Sequence, residues 1–403
     1  MSERLPVEPI LALGLTQIIS YGSLYYSFSI LAPQMAADLG WSREWIFGAL
    51  SIALLIGGLS APWLGAGFDR YGAGRVMTLG SALASTALIA CALASNGAVY
   101  LVALIAIQTA ANLVQYGAAF ALLVQLHPQS AQRSITYLTL IAGFASTIFW
   151  PLTSVLHEAL SWQQVYMVFA AMNLAVCLPL HAWLARQTTV GQPKSAVTAA
   201  PVVGVLPPAR RKRGFILLAL AFALQYLVSA AILVHMLPLL VGLGLGASAA
   251  LIGAMFGPSQ VASRLINMLF GQSLPPLRLA LIAALFIGGS VLLLTATGSS
   301  ASGAMVFALL FGMGNGLLSI VSGTVPLALF GSDGYGTLQG KLMAVRLIIS
   351  ATAPFILAYT MEHLGIAPSL AISVSAGAVA IVLICVLQQQ ASARRFDRSQ
   401  HDP

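Results

Sequence analysis

The chain has 403 residues, of which 59% are hydrophobic and only 7% are charged, and its formal net charge is +8. A typical soluble domain carries about 25% charged residues. The composition therefore excludes a soluble protein of this length, which could not cover its surface with so few charges. The chain is predicted to be an integral membrane protein.

Apolar runs of about 20 residues, each long enough to cross a bilayer as a helix, recur along the whole chain. The first run lacks the basic region, short apolar core and cleavage site of a signal peptide, so it is predicted to be a retained span. The fold class is therefore predicted to be an all-α membrane protein. The twelve predicted spans are 9–36, 44–68, 76–95, 98–124, 134–157, 163–184, 215–241, 248–272, 278–297, 302–328, 340–362 and 366–388.

Basic residues are distributed unevenly between the loops. With the N-terminus inside, the cytoplasmic segments hold 15 of the 18 Lys and Arg residues, while the external loops hold only Arg43. This bias predicts that both termini are cytoplasmic, in what we expect to be a bacterial inner membrane. The basic run Arg210–Arg213 is interpreted as a topology signal that contacts lipid headgroups, and nucleic-acid binding is not expected.

A long polar, Pro-rich loop divides six spans from six. The halves resemble each other weakly, since Ile46-Phe-Gly-Ala-Leu50 in span 2 matches Leu251-Ile-Gly-Ala-Met255 in span 8. Paired six-helix halves are typical of transporters that bind substrate near the midplane and rock one half against the other. The predicted domains are a first bundle at 1–184, a cytoplasmic linker at 185–214, a second bundle at 215–388 and a cytoplasmic tail at 389–403.

Two arginines, Arg264 in span 8 and Arg346 in span 11, lie within apolar segments, whereas every carboxylate lies at a membrane edge or in a loop. An ionisable residue inside a span indicates a functional site, and a guanidinium binds a carboxylate through two parallel hydrogen bonds. Side chains lean toward a helix N-terminus, so Arg264 is expected to point to the midplane. Arg346 points the other way, and snorkelling to the cytoplasm is its alternative explanation. Gly257-Pro258 is expected to kink span 8.

Polar residues at helical spacing in spans 4 and 10 are candidates to complete an anion site. Such stripes also join membrane helices to each other, and for His235 a packing role is the alternative to a substrate or proton role. Spans 1 and 7 add further polar and aromatic side chains. The predicted substrate-binding residues are Arg264, Arg346, Tyr25, Asn112, Gln115, Tyr116, Asn315, Ser319 and His235.

The loop after span 2 reads Gly65-Ala-Gly-Phe-Asp-Arg-Tyr-Gly-Ala-Gly-Arg75. It resembles the signature loop of the major facilitator superfamily, G-x-x-x-D-[RK]-x-G followed by basic residues. The resemblance implies a twelve-helix transporter in which Asp69, Arg70 and Arg75 form a cytoplasmic latch that holds the outward-facing state. The equivalent loop after span 8 has lost the acid, so a matching second latch is not expected.

Within that superfamily, the segment from Tyr21-Gly-Ser-Leu-Tyr-Tyr to Leu39-Gly-Trp-Ser-Arg43 is similar to the opening signature of the monocarboxylate-porter and oxalate:formate-antiporter branch. The resemblance implies that Arg264 binds a substrate carboxylate, with Arg346 as the basic residue of helix 11. Vertebrate-type monocarboxylate porters have an acid one turn before the helix-8 arginine, where this chain has Gln260. Their style of proton coupling is therefore not implied.

The predicted function is secondary transport of a small organic anion, with a proton or counter-anion as the coupled partner and a monomer as the working unit. The alternative is an exporter of neutral or anionic drug-like compounds. A receptor would need a signalling domain, and an enzyme would need a catalytic grouping, neither of which is seen. Isolated cysteines and histidines and the lack of a phosphate-binding loop predict no metal, cofactor or nucleotide site.

Overall fold

A computed structural model describes residues 5–187, 201–246, 248–271 and 273–399. Most of these residues are helical, and the helices α1–α12 follow the order of the predicted spans. The bounds are Val7–Leu39 (α1), Arg43–Tyr71 (α2), Ala73–Ala92 (α3), Gly97–Leu126 (α4), Ala131–Ala159 (α5), Trp162–Gln187 (α6), Pro208–Gly242 (α7), Ser248–Ala254 with Phe256–Phe270 (α8), Pro276–Thr297 (α9), Ala301–Phe330 (α10), Tyr335–Leu364 (α11) and Ile366–Ser399 (α12).

Within the described residues, eleven of these helices are long and apolar enough to cross a membrane. The remaining one, α8, is interrupted at Met255, so that neither of its segments alone reaches that length. Pro258 lies in the first turn of the second segment, where the missing backbone N–H removes no helical hydrogen bond. The kink predicted at Gly257-Pro258 is thus found as an interruption just before that pair.

The helix ends differ from the predicted span edges where a helix continues into polar sequence. α7 begins at Pro208 rather than at 215, with proline in its first turn, and α12 continues to Ser399 rather than ending at 388. The basic run Arg210–Arg213 is therefore helical. Hydropathy marks the apolar part of a helix, but backbone hydrogen bonding continues into polar residues wherever the chain stays regular.

Several helices change geometry partway along their length. α1 contains a π-helical turn at Gly22–Tyr26, and α6 contains one at Asn173–Cys177. α4 is broken at Gln115, which has an extended backbone, and α5 is broken at Gly143–Phe144. Such irregular turns are frequent at functional sites, and they place polar side chains in the interior.

The chain divides into two compact units. The first comprises Met1–Pro201 with Ser332–Ile348, and the second comprises Val202–Gly331 with Ile349–Pro403. The first half of α11 therefore belongs to the unit that contains α1–α6.

Within the first unit, a buried histidine joins three helices. The Nε2 of His181 (α6) lies 3.0 Å from Thr16 Oγ1 (α1), and its Nδ1 lies 2.7 Å from Ser81 Oγ (α3). Because Thr16 already donates its hydroxyl proton to the Leu13 carbonyl, Nε2 carries the ring proton and Ser81 donates to Nδ1. The ring is thus neutral and fully hydrogen-bonded.

Within the second unit, glycines of α10 allow close helix packing. A Cβ atom at Gly314 would lie 2.7 Å from a side-chain carbon of Ile287 in α9, so only glycine permits this approach. The segment before α7 adds two backbone hydrogen bonds to the end of α10, from Val205 to Ala328 and from Leu206 to Leu329.

Candidate functional site

Arg264 is buried on the second segment of α8, with 6% of its surface exposed. Its Nε donates to the Gly316 carbonyl at 3.3 Å and to Ser319 Oγ at 3.1 Å, both on α10. Its Nη2 donates to Gln260 Oε1 at 3.3 Å, one turn earlier on α8. All three acceptors are neutral, so these hydrogen bonds hold the guanidinium in place without compensating its charge.

Two glycines of α10 bring the Arg264 segment close enough to make these bonds. A Cβ atom at Gly316 would lie 2.5 Å from the Gln260 carbonyl oxygen, and one at Gly312 would lie 2.5 Å from the Phe256 carbonyl oxygen. The spacing of four residues puts both glycines on one face of α10, toward α8. The close approach exposes the Gly316 carbonyl to Arg264 Nε.

The hydrogen bonds of Arg264 use Nε and one proton of Nη2. Among the residues that the structure describes, Nη1 has no hydrogen-bond partner and no Asp or Glu contacts the side chain. The end of the guanidinium that holds Nη1 and Nη2 therefore retains donors for the two oxygens of an anion.

The predicted polar residues of α10 have different roles. Ser319 contacts Arg264 directly and donates its own proton to the Gly316 carbonyl at 2.6 Å, which orients its oxygen as an acceptor. Asn315 donates to Phe311 within its own helix and makes no hydrogen bond to Arg264. The structure thus brings Ser319, but not Asn315, to the arginine.

The predicted residues of α4 lie at or near its break. Asn112 is buried and donates to the Gly57 carbonyl of α2 at 2.8 Å, which is a helix-packing contact. Gln115 forms the break itself, and the amide of Gln17 (α1) donates to the Val114 carbonyl at 2.7 Å. That carbonyl is available because the Ala118 amide bonds to the Gln115 carbonyl instead. Gln17 thus satisfies a backbone group that the break releases.

Aromatic residues surround the π-helical turn of α1. Tyr25 keeps 48% of its surface exposed, and the ring of Tyr116 lies 4.9 Å from that of Tyr21. Arg346 lies within electrostatic range of the hydroxyl groups of Tyr21 and Tyr25. Tyr116 thus contacts Tyr21, and Arg346 interacts electrostatically with both Tyr21 and Tyr25, so the three residues predicted separately belong to one region of the first unit.

His235 lies on α7, and its Nε2 is 2.9 Å from the Pro354 carbonyl oxygen of α11. A carbonyl only accepts, so Nε2 must carry the proton that it donates. Among the described residues, this is the hydrogen bond that His235 makes, and it joins two helices of the second unit.

Asp69 lies at the end of α2 and contacts the beginning of α11. Its carboxylate accepts hydrogen bonds from the backbone N–H of Gly336 (2.8 Å), the backbone N–H of Thr337 (2.7 Å) and the Thr337 hydroxyl (2.6 Å). These N–H groups belong to the first turn of α11, where an acid also interacts favourably with the helix dipole. Asp69 thus caps a helix far away in the sequence.

The other two predicted latch residues lie apart from this contact. Arg70 is exposed and lies over the Tyr71 ring at 5.2 Å from its centroid. Arg75 is exposed as well, and neither arginine is paired with a carboxylate among the described residues.

Sequence reasoning did not identify Thr337, the Gly316 carbonyl or the glycines that position them. A signal was present in the spacing of small residues. Gly336 and Gly340 of α11 pack against Ala61 and Gly65 of α2, since a Cβ atom at Gly340 would lie 2.8 Å from the Gly65 Cα. Small residues at i and i+4 in both spans indicate a close helix crossing. Within the described residues, no group of three or more His, Cys, Asp or Glu side chains could hold a metal ion.

Comparison with known proteins gives a match over most of the chain. The family model of the Major Facilitator Superfamily matches residues 13–354. The fold is similar to that of the human organic anion transporter MFSD10 (TETRAN), with a TM-score of 0.75 and 15% identity over 94% of this chain and 100% of that one. No curated protein matches the chain in sequence.

Two further solved structures share the fold. The transporter FucP in its outward conformation has a TM-score of 0.67 and 14% identity over 94% of this chain and 98% of its own. The proton:xylose symporter XylE, bound to 6-bromo-6-deoxy-D-glucose, has a TM-score of 0.65 and 12% identity over 94% and 96% of the two chains. At such identities the likeness shows the fold alone.

Proposed function

The chain belongs to the major facilitator superfamily, and we propose that it is a secondary transporter of small organic anions, most simply carboxylates, that works by alternating access. The observation that carries the proposal is Arg264, a buried guanidinium with neutral hydrogen-bond partners and unused donors. A charge removed from water is costly unless an opposite charge accompanies it. A substrate carboxylate would supply that charge.

The unused donors suit a carboxylate better than a spherical anion. Nη1 and Nη2 are coplanar and present parallel N–H groups, which match the two oxygens of a carboxylate. Gln260 and Ser319 orient the group before substrate arrives, so less rotamer entropy is lost on binding. Arg346, near Tyr21 and Tyr25, is proposed as a second basic residue that contributes to anion binding in the first unit.

We propose that the protein belongs to the monocarboxylate-porter and oxalate:formate-antiporter branch, and Arg264, Arg346 and the opening segment of α1 support this proposal. Gln260 contacts Arg264 at the position where vertebrate-type porters have an acid. A neutral amide there leaves the arginine positive in the absence of substrate. Anion exchange, or entry of a proton with the substrate, is therefore proposed in place of a dedicated acidic relay.

Asp69 is proposed to act as a latch through its bonds to the first turn of α11, with Arg70 and Arg75 as basic flanking residues. The excess of basic residues in the predicted cytoplasmic segments supports the proposal that both termini are cytoplasmic, in a bacterial inner membrane. The proposed organisation remains two six-helix bundles at 1–184 and 215–388.

Uptake of radiolabelled acetate, lactate, formate and oxalate into proteoliposomes tests the function. We expect saturable uptake or exchange by the wild type, a loss of at least about tenfold in Arg264→Gln, and partial activity in Arg264→Lys, which keeps the charge but not the planar fork. Arg278→Gln is the matched control, because Arg278 is an arginine near the start of α9, outside the contacts of Arg264. Equal rates in the wild type and Arg264→Gln would remove Arg264 from the mechanism.

Export of neutral or anionic drug-like compounds is the second candidate. The exposed aromatic side chains of Tyr25 and Trp150 in the first unit are compatible with it. Drug efflux from loaded vesicles that is unchanged by Arg264→Gln, together with no carboxylate uptake, would favour this candidate.

A further inference from the structure

Five aromatic rings form a continuous cluster around the π-helical turn of α1. Tyr25 meets Tyr26 edge to face at 5.3 Å, and Tyr26 meets Trp150 of α5 in the same way at 5.9 Å. Tyr21 lies 6.4 Å from Tyr26 and 4.9 Å from Tyr116 of α4. All five residues belong to the first unit.

This cluster is open, unlike the other large aromatic cluster of the same unit. The rings of Tyr100, Trp162 and Tyr166 also meet edge to face, but none of these residues has more than 2% of its surface exposed. By contrast, Tyr25 is 48% and Trp150 is 50% exposed.

Tyr25 lies beside a positive charge as well as beside other rings. Its side chain interacts electrostatically with Arg346, and its ring meets that of Tyr26. The exposed part of Tyr25 therefore adjoins both an aromatic surface and a positive charge, which are the two features that a carboxylate with an apolar body requires.

Irregular backbone creates the cluster and adds polar groups beside it. The π-turn at Gly22–Tyr26 places Tyr21, Tyr25 and Tyr26 on adjoining surfaces, and the break at Gln115 begins a new helix with Tyr116. The Tyr21 hydroxyl is hydrogen-bonded to the Tyr116 backbone, so the break fixes the relative positions of the two rings. Helix irregularities that cost backbone hydrogen bonds in a membrane persist where they are buried in protein or line a cavity.

A buried donor at the break has no hydrogen-bond partner among the described residues. Gln115 Nε2 is fully buried and, among the described residues, no acceptor lies within hydrogen-bond distance. An unsatisfied amide is costly in a membrane interior. Together with the nearby charge of Arg346, it provides polar groups at one side of the aromatic surface.

We propose that the open aromatic cluster, formed by Tyr21, Tyr25, Tyr26, Tyr116 and Trp150, binds the planar ring of an aryl carboxylate. This inference rests on the proposed function and deepens it, because it assigns the carrier a preference, among small carboxylates, for those that carry an aromatic ring. Rings that meet edge to face keep other faces and edges free for a further contact. The aromatic ring of a substrate can contact these in offset-stacked or edge-to-face geometry. A saturated ring of similar size would bury a similar apolar surface area. It would lack the electrostatic attraction between aromatic rings.

Benzoate and cyclohexanecarboxylate separate the effect of apolar burial from the effect of aromatic contact. Both carry one carboxylate on a six-membered carbon ring, and both are ionised at neutral pH. Their dissociation constants for the purified full chain in detergent can be measured by calorimetry, with acetate and lactate alongside. We expect benzoate to bind about 3- to 10-fold more tightly than cyclohexanecarboxylate, the factor that one or two aromatic contacts supply.

Tyr116 is the ring to vary, since it contacts both Tyr21 and Phe120. Tyr116→Phe keeps the ring and should keep the preference for benzoate. Tyr116→Leu removes the ring and should bring the ratio of the two dissociation constants toward one. Tyr359→Leu removes an exposed ring of α11 in the second unit and should leave the ratio unchanged.

The outcomes distinguish this inference from the proposed function. If the two ring carboxylates bind the wild type equally well, the aromatic subsite is overturned while carboxylate transport stands. If the preference persists in Tyr116→Leu, the ring is recognised elsewhere and the cluster is overturned. If no carboxylate binds the wild type at all, both proposals fail. The wild-type comparison decides the question even if Tyr116→Leu does not fold.

Discussion

Asp69 and Thr337 are joined by two hydrogen bonds although 268 positions separate them in the sequence, one from the Thr337 backbone N–H (2.7 Å) and one from its hydroxyl (2.6 Å). A third bond from Gly336 completes the cap. The first turn of a helix has N–H groups without intrahelical acceptors. Here a carboxylate from α2 satisfies two of them at the beginning of α11.

Asp69→Ala should therefore destabilise the protein. Loss of an N-terminal cap typically costs about 0.5–2 kcal/mol, and the Gly336 and Thr337 amides would lose their acceptor. The measurement is the midpoint of thermal unfolding in detergent, which should fall. Arg70→Ala serves as the control, since its side chain is exposed and lies over the Tyr71 ring, away from the cap. A midpoint that falls equally in both variants would show that the cap has no special importance.

Gly316→Ala should weaken the packing of α8 on α10. The added Cβ atom would overlap Ser263 and lie 2.5 Å from the Gln260 carbonyl oxygen, so the helices must separate. Overpacking of this kind costs about 1–3 kcal/mol, and it would lengthen the bond from Arg264 to the Gly316 carbonyl. Both the unfolding midpoint and the affinity for carboxylates are expected to decrease.

Gly289→Ala is the matched control for that change. Gly289 is a helical glycine of α9, and no atom lies within 4 Å of the position that an added Cβ would occupy. Alanine is favoured over glycine in a helix by about 1 kcal/mol, so this variant should be neutral or slightly more stable. Unchanged stability and affinity in Gly316→Ala would contradict the close-packing role.

Gln17→Leu and Gln225→Leu should have different effects on stability, although both glutamines are buried. Gln17 lies on α1 and Gln225 on α7, the first helices of the two halves of the sequence. Gln17 donates to the Val114 carbonyl, which would be left unsatisfied at a cost of about 1–3 kcal/mol. Both polar atoms of Gln225 lack partners among the described residues, so leucine removes an existing penalty there. Thermal unfolding should show a loss of stability in the first variant and no loss in the second. A loss of stability in Gln225→Leu would mean that its amide binds a group.

His235→Gln should retain carboxylate uptake and its dependence on external pH. Glutamine keeps an N–H donor for the Pro354 carbonyl, which is the hydrogen bond that His235 makes in the described structure. Uptake by proteoliposomes at several external pH values measures the effect, with His235→Phe as the variant that removes the donor. If the pH dependence disappears in His235→Gln while uptake persists, His235 carries the coupled proton.

The sequence by itself determined the class of protein and the number and order of its helices. Charge is too scarce for a soluble surface, and each apolar run must form its own helix because lipid offers no partners for backbone polar groups. The family followed from the loop that contains Asp69, and the family match over residues 13–354 confirms it. Among the described residues no Asp or Glu contacts Arg264, as expected from a sequence in which no carboxylate lies in the middle of a span.

The tertiary structure decided what each polar residue contacts. Asn112 and Ser319 lie at similar positions on equivalent helices, yet Asn112 bonds to a backbone carbonyl of α2 and Ser319 bonds to Arg264. Spacing along a helix fixes which face a side chain occupies but not which helix lies opposite. Likewise, the break at Gln115 and the cap of α11 by Asp69 depend on partners distant in sequence. Such contacts arise from packing. The spacing of small residues can indicate that two helices cross closely, but it does not indicate which polar groups meet there.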